Sequence, residues 1–139
     1  MAKNQSADTT LVIGDKSNKD EPQLPKGRKY SLVVLEGKNQ GRDYQIKKWT
    51  IIIGRDASVS DFVIDDPGAS RSHACLEFAN DVFSIEDLES TNGLSVNGKP
   101  QTNAVLKHGD QITIGKTVLQ YLEESHEPRS KIYQIDEDL

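Results

Sequence analysis

Tight-turn dipeptides separate short apolar runs along the middle of this chain, and this spacing is the feature that most limits its fold. Asn-Asp at 80–81, Asn-Gly at 97–98 and Gly-Lys at 115–116 each suit the two-residue turn of a β-hairpin. The runs between the turns are rich in β-branched residues and are too short for stable helices. The pattern predicts about ten short strands, no helix, and an all-β, antiparallel β-sandwich whose two sheets bury their inner faces.

The predicted strands occupy most of the chain between residues 30 and 122. They are expected at residues 30–36, 43–46, 50–54, 62–64, 73–79, 82–87, 94–96, 110–114 and 117–122. The polar residues before and after them lack this periodicity. We therefore divide the chain into a flexible N-terminal tail (1–29), a β-sandwich domain (30–122) and a C-terminal segment (123–139). That last segment is either a flexible tail or the start of a linker helix.

The composition excludes several classes of function. A net charge of −5 with scattered Lys and Arg provides no basic track for nucleic acid. No apolar run of about twenty residues can span a membrane, and the first residues lack a secretory signal, so a cytoplasmic protein is expected. The three histidines lack ligand spacing, so neither a metal nor another cofactor is predicted. The single cysteine, Cys75, alternates with apolar residues and is expected to be a buried small hydrophobe.

Three of the predicted loops carry side chains that suit a phosphate group on a peptide. They supply guanidinium groups, small hydroxyls and one carboxamide, which match the oxygens of a tetrahedral dianion. Their one imidazole, His73, is expected to support a loop, and no catalytic or metal-binding set accompanies them, so the chain is predicted to bind phosphate and not to be an enzyme. The residues are Gly54, Arg55, Ser70, Arg71, His73, Thr91, Asn92 and Gly93.

Five sequence blocks resemble the forkhead-associated (FHA) domain in their order and spacing. The resemblance covers nearly the whole predicted domain, and five blocks in register are a specific signal. It implies an eleven-stranded β-sandwich whose loops at one end bind phosphothreonine peptides. The blocks lie at residues 54–55, 70–74, 88–93, 96–98 and 109–115.

Two positions depart from the pattern of the family that the chain resembles. Ala69 stands where the family usually has a larger aliphatic residue, which is a change in packing. Leu94 replaces a small hydroxyl residue beside the binding loop, where it can alter which peptides fit. Neither change removes an expected phosphate ligand.

Each binding residue then has an expected role. Arg55 is the main phosphate ligand, because its planar fork can donate two parallel charge-assisted hydrogen bonds. The hydroxyl and the backbone N–H of Ser70 are expected to point at the anion, and Thr91 is expected to donate to it. Asn92 is expected to hold the peptide backbone with its amide donor and acceptor. Arg71 adds positive charge at the rim, and its direct contact with phosphate is left open.

The supporting residues have expected roles of their own. The glycines of the first and third motifs are expected to give their loops backbone freedom. His73 is expected to fix a loop with both ring nitrogens bonded locally, and the alternative is a direct phosphate ligand. For Arg55 the alternative role is a surface ion pair with Asp56 or Asp61.

The N-terminal tail contains a double threonine, Thr9-Thr10, followed by three aliphatic residues. We hypothesise that a Ser/Thr kinase phosphorylates one threonine, and that it docks into this domain or a neighbouring copy, as similar tails do in some bacterial FHA proteins. Thr10 is favoured because it lies nearer the aliphatic residues. As a flexible coil, the residues between Ile13 and Leu32 span about 23 Å, enough to reach the loops. The alternative is an accidental cluster.

Two classes of function follow from these observations. In the first, the chain is a bacterial phosphothreonine-peptide-binding regulatory module in Ser/Thr-kinase signalling, ahead of an output domain such as a diguanylate cyclase. The spacing of Ile132, Ile135 and Leu139 fits one face of a linker helix to such a domain. In the second class, the chain is a phosphorylation-independent scaffold whose sheet faces bind a partner protein.

Overall fold

The computed structural model describes residues 23–125, which form two sheets of short strands. The predicted phosphoacceptors Thr9 and Thr10, and the predicted helix face at 132–139, lie outside the described residues. The prediction of an all-β sandwich is confirmed, and so is the count of eleven strands. The strands are β1 (Arg28–Glu36), β2 (Asp43–Ile46), β3 (Thr50–Gly54), β4 (Phe62–Val63), β5 (Ala74–Ala79), β6 (Val82–Asp87), β7 (Leu94–Val96), β8 (Lys99–Gln101), β9 (Asn103–Val105), β10 (Gln111–Ile114) and β11 (Thr117–Ser125).

The strands are arranged in one six-stranded and one five-stranded sheet. The first has the order β2-β1-β11-β10-β7-β8, and the second has the order β4-β3-β5-β6-β9. Every pair with a defined register is antiparallel except β3 with β4, which runs parallel. The loop at 55–61 carries the chain back along β3, so that the two residues of β4 enter in the same direction. The sandwich is therefore antiparallel, as predicted, with one parallel pair at this edge.

The observed strands differ from the predicted ones mainly at the edges of the sheets. β1 begins at Arg28 and β11 continues to Ser125, where the two strands still pair. The periodicity predicts neither β8 nor β9, because each has three residues and no fully buried one. In addition, β8 contains Pro100, a residue that is tolerated only at sheet edges or strand ends.

The core is built from the inward-facing residues of both sheets, with aromatic rings at its centre. Phe83 contacts the rings of Tyr30 and Phe78, each with a centroid distance of 5.1 Å. Cys75, expected to be buried, lies instead on the outer face of β5 and is half-buried, because Ala74 and Leu76 take the inward positions. Partial burial raises the pKa of its thiol.

The directions of the strands place the loops that carry the predicted phosphate-binding motifs together at one end of the sandwich, which we call the motif-bearing end. The loops that follow β3, β4 and β6 lie at this end, together with the turn between β10 and β11. The β5–β6 turn lies at the opposite end, where Asn80 and Asp81 have φ angles of 55° and 69°. The β7–β8 turn lies there too, with Asn97 and Gly98 at 52° and 84°. These left-handed conformations are those that a two-residue hairpin turn requires.

Asp66 is a buried carboxylate that joins the loop after β4 to the β10–β11 hairpin. One oxygen accepts the N–H of Gly68 at 2.7 Å. The other accepts the N–H of Lys116 and the hydroxyl of Thr117, both at 2.8 Å. Burial raises the pKa of Asp66, but the hydrogen bonds from Gly68, Thr117 and Lys116 outweigh it and hold the pKa below its usual value. The ionised carboxylate therefore ties together two loops at the motif-bearing end.

Gly54 ends β3 beneath the loop after β4, at a distance that no other residue tolerates. A Cβ atom there would lie 2.0 Å from the carbonyl oxygen of Arg71 and 2.7 Å from Oγ of Ser60. The φ of Gly54 is not positive, so glycine is required here because the close approach leaves no room for a Cβ atom.

We predict that Asp66→Asn lowers the free energy of unfolding by about 2–3 kcal/mol near neutral pH, because an amide cannot accept three hydrogen bonds. The wild-type carboxylate stabilises the fold above its unfolded pKa of about 3.9. That contribution is lost as the pH falls through the lower folded pKa, so the difference between the two proteins should narrow below about pH 4.

Urea unfolding at several pH values measures this difference. Asp65→Asn is the matched control, because the neighbouring Asp65 makes only an exposed ion pair with Lys38 at 3.3 Å. Equal losses of stability in the two variants would contradict the role given to Asp66.

We predict that Gly54→Ala costs more than about 3 kcal/mol of stability, because the backbone of the loop above it must move. Gly41→Ala serves as the comparison, since Gly41 has a φ of 91° and nothing within 4 Å of an added Cβ. That variant should cost only about 1 kcal/mol for the left-handed backbone. Thermal unfolding of both variants tests the ranking, and a Gly54→Ala protein of near wild-type stability would refute it.

Candidate functional site

An open cleft of about 460 Å³ lies among the loops at the motif-bearing end. We call it the Arg55 cleft. It brings together all five residues that the sequence analysis assigns to phosphothreonine binding. Its lining is Arg55, Ser70, Arg71, Thr91 and Asn92 together with Pro67, Gly68, Ala69 and Ser72, four residues that the analysis does not assign.

The side chain of Arg55 is exposed in this cleft and is held at one nitrogen only. Its Nε donates to the carbonyl oxygen of Ala69 at 2.9 Å, and its backbone N–H donates to the carbonyl oxygen of Ser70 at 2.9 Å. Within residues 23–125 no carboxylate forms an ion pair with this guanidinium. Asp61, one of its expected surface partners, is instead bound to Lys48 at 2.7 Å. The terminal nitrogens of Arg55 therefore remain available to an anion.

Asp56, the other expected partner of Arg55, is engaged within its own loop. Its Oδ1 accepts the backbone N–H of Ser58 at 2.9 Å and the Ser58 hydroxyl at 2.8 Å. These hydrogen bonds, helped by the charges of Arg71 and Arg55, lower the pKa of Asp56. The carboxylate of Asp56 stays ionised at neutral pH but forms no ion pair with Arg55 or Arg71 within the described residues.

Arg71 contributes to the site through its backbone as well as its charge. Its carbonyl oxygen accepts the Ser60 hydroxyl at 2.8 Å and the N–H of Asp56 at 3.3 Å. These bonds join the loop after β3 to the loop after β4. The guanidinium is exposed at the cleft, where it adds a second positive charge to that of Arg55.

Ser70 connects the two loops that face Arg55, and one of its expected roles is wrong. Its backbone N–H, expected to point at the anion, donates instead to Nδ1 of His73 at 2.9 Å. Its Oγ accepts the backbone N–H of Thr91 at 3.1 Å. The Ser70 hydroxyl donates to no acceptor within residues 23–125, so its proton can be donated into the cleft.

Asn92 also links two loops while keeping part of its carboxamide free. Its Nδ2 donates to the carbonyl oxygen of Gly68 at 2.9 Å. Its Oδ1 accepts no hydrogen bond from residues 23–125, and Nδ2 has a second proton. The exposed amide can therefore still pair with the backbone of an extended peptide.

His73 is fully buried under the cleft and bonds to elements on three sides. Its backbone N–H donates to the carbonyl oxygen of Ile53, and its own carbonyl oxygen accepts the N–H of Leu88. Because Nδ1 accepts the N–H of Ser70, the proton lies on Nε2, which donates to the carbonyl oxygen of Gly93 at 2.7 Å. With no exposed surface, the imidazole cannot reach a ligand in the cleft. Through its backbone and its ring together, His73 joins β3, the loop after β4 and the loop after β6.

The loop after β6 has its own internal brace, which the sequence analysis does not identify. The hydroxyl of Ser90 donates to Oδ1 of Asp87, and the N–H of Ser90 donates to Oδ2 at 3.2 Å. The N–H of Gly93 donates to the Ser90 hydroxyl oxygen at 2.8 Å, and Gly93 has a φ of 73°. The spacing of an Asp three residues before a Ser is the sequence signal that indicates this turn.

Among residues 23–125 no group of three or more His, Cys, Asp or Glu side chains is arranged to hold a metal ion. Over the same residues, no helix has the length and apolar character that a membrane span requires.

One model of a known protein family matches most of the described residues. The family model described as the cytoplasmic domain of an inner membrane component of the T3SS matches residues 33–125. The matched region therefore includes all eleven strands except the first residues of β1.

Two curated bacterial relatives are similar in sequence. An oxoglutarate dehydrogenase inhibitor from Corynebacterium jeikeium is 38% identical over 104 residues, which are 75% of this chain and 71% of that protein. The glycogen accumulation regulator GarA from Mycobacterium tuberculosis is 38% identical over 91 residues, 66% of this chain and 56% of that regulator. The chain thus matches little more than half the length of GarA. Both relatives are named for regulation and not for catalysis, in agreement with the prediction that this chain is not an enzyme.

A solved structure from work on phosphothreonine-dependent FHA domain interactions is similar in three dimensions. It is 33% identical, with a TM-score of 0.62, and the match covers 68% of this chain and 95% of that one. The fold, the loop motifs and these relatives show that the chain belongs to the FHA domain family, as a regulatory protein of the type found in bacteria.

Proposed function

We propose that this chain binds phosphothreonine peptides in the Arg55 cleft and regulates a partner protein in the cytoplasm through them. The observation that carries the proposal is the exposed guanidinium of Arg55, which has no carboxylate partner within the described residues and lies beside two hydroxyl groups. A phosphothreonine carries between one and two negative charges near neutral pH and accepts several hydrogen bonds. Arg55, Ser70 and Thr91 offer donors for it, and Arg71 adds charge.

Asn92 supports the choice of a peptide over free phosphate. Its carboxamide lies at the edge of the cleft with an acceptor and one proton unused, which matches the N–H and C=O of an extended backbone. A site that combined only cations and hydroxyls would bind any phosphate. The carboxamide adds recognition of the chain that carries the phosphate.

The class of regulated partner is inferred from the relatives. One relative is named for inhibition of oxoglutarate dehydrogenase and the other for control of glycogen accumulation. We therefore infer that the partner of this chain is a metabolic enzyme, and that a Ser/Thr kinase controls the interaction. The diguanylate cyclase output expected from the sequence has no support in the names of these relatives.

The phosphorylated N-terminal tail is the ligand that we propose for self-regulation. Leu24 packs against the core, and β1 begins at Arg28, next to Asp81 at the end opposite the Arg55 cleft. To reach the Arg55 cleft, the segment that carries Thr10 must therefore extend along the length of β1, whose nine residues span about 30 Å. The chain from Thr10 to Leu24 can extend to roughly 46 Å, so docking within one molecule is sterically possible.

We predict that Arg55→Ala weakens binding of a phosphothreonine peptide by at least about 30-fold, because two charge-assisted hydrogen bonds are lost. Arg55→Lys should also weaken binding, by about 10-fold, because a point charge does not reproduce the planar fork. Isothermal titration calorimetry measures both, with the unphosphorylated peptide as the baseline.

Lys107→Ala is the matched control, since it removes one exposed positive charge from the loop at the opposite end of the sandwich. It should bind the peptide like the wild type. If instead a partner protein binds the Arg55→Ala variant as tightly as the wild type, the phosphorylation-independent scaffold is the correct function.

We predict that phosphorylation of Thr10 weakens binding of a separate phosphothreonine peptide by about 100-fold or more. The attached phosphothreonine competes at an effective concentration on the order of millimolar. Fluorescence anisotropy with a labelled peptide measures the effect, and a chain with Thr9→Val and Thr10→Val, treated with the same kinase, is the control. An unchanged affinity in the phosphorylated chain would show that the tail does not occupy the cleft.

A further inference from the structure

A second open cleft adjoins the Arg55 cleft, and the two share Asn92. Its volume is about 500 Å³, and its lining includes Leu94, Ser95, Pro100, Gln101 and Thr102. We call it the Pro100 cleft. Because Asn92 lines both clefts, we expect an extended peptide held by its carboxamide to have one flank beside this second cleft.

The walls of the Pro100 cleft are held in place by both sheets. β8 is paired to β7, with Pro100 opposite Ser95 and Gln101 opposite Leu94. The carbonyl oxygen of Thr102 accepts the backbone N–H of Asp87 at 2.9 Å, which ties the turn after β8 to the end of β6. A site with walls fixed in this way loses little conformational entropy when it is filled.

The electrostatic character of the Pro100 cleft is opposite to that of the Arg55 cleft. Its lining contains no Lys or Arg, and its one ionisable group is the carboxylate of Asp87. Both oxygens of that carboxylate already accept hydrogen bonds from Ser90, and the side chain is only 12% exposed, so little of it is open to a basic side chain. An acidic side chain there would meet a negative charge and no compensating cation.

The remaining lining favours an uncharged side chain. Pro100 is exposed and offers apolar contact, while Leu94 is almost fully buried and forms part of the floor. The side chains of Gln101 and Thr102 also line the cleft, form no hydrogen bond within residues 23–125, and can bind a polar, uncharged group. The cleft therefore suits apolar or neutral polar residues.

We propose that the Pro100 cleft is a specificity subsite, which accepts an uncharged side chain flanking the phosphothreonine and discriminates against an acidic one. This inference rests on the proposed function, because it concerns the same bound peptide. Selection arises from repulsion by Asp87 as much as from contact with Pro100, and an unfavourable charge is an effective way to reject a competing ligand.

The experiment uses an alanine-based peptide with a central phosphothreonine. A set of related peptides carries aspartate at one flanking position at a time, on both sides. For the wild-type chain we expect one flanking position at which aspartate weakens binding by roughly fivefold, as one screened charge repulsion implies. Thr102→Lys, which places a cation at the rim of the cleft, should abolish or reverse that preference at the same position.

Ala79→Lys is the matched control, because it adds the same charge on an exposed residue at the opposite end of the sandwich. It should leave the aspartate profile unchanged. If the peptides bind and Thr102→Lys gives the same profile as the wild type and the control, the subsite is refuted while phosphothreonine binding stands. If no phosphothreonine peptide binds the wild-type chain, both the proposed function and this inference are wrong.

Discussion

The buried imidazole of His73 is the constraint on which the rest of the site depends. The residues that line the Arg55 cleft belong to short surface loops, which would otherwise sample many conformations. His73 removes that freedom through two backbone bonds, to Ile53 and Leu88, and two ring bonds, to Ser70 and Gly93. One residue without exposed surface thus holds, through its backbone and its ring together, three segments that present the exposed donors.

This arrangement separates the residues that hold the loops from those that are free to bind. Asp66 anchors the loop after β4 to the β10–β11 hairpin, and Asp87 braces the loop after β6. The guanidinium of Arg55 and the carboxamide of Asn92 each use one nitrogen for the scaffold and keep the rest available. Donors that are already oriented do not have to be ordered when the ligand binds, which is the usual source of affinity at such sites.

Most of the fold was predictable from the sequence, because turn dipeptides and β-branched runs specify local structure directly. β8 and β9 were not, since three-residue edge strands without buried residues leave no periodic signal. The residues of the Arg55 cleft could be predicted to form one site because the sequence resembles the FHA domain. The backbone N–H of Ser70 was expected to point at the anion because the sequence gives no sign that it donates to the ring of His73. The role of Asp66 has no local signal in the sequence, since one of its partners, Thr117, lies far along the chain.

The most direct test of this account is a crystal structure of the chain bound to a phosphothreonine peptide. We expect the phosphate to contact the terminal nitrogens of Arg55 and the hydroxyl groups beside it, with Asn92 bonded to the peptide backbone. We also expect the hydrogen bonds of His73 to be the same as in the free protein. A phosphate bound away from Arg55, or loops rebuilt around a broken His73 network, would contradict it.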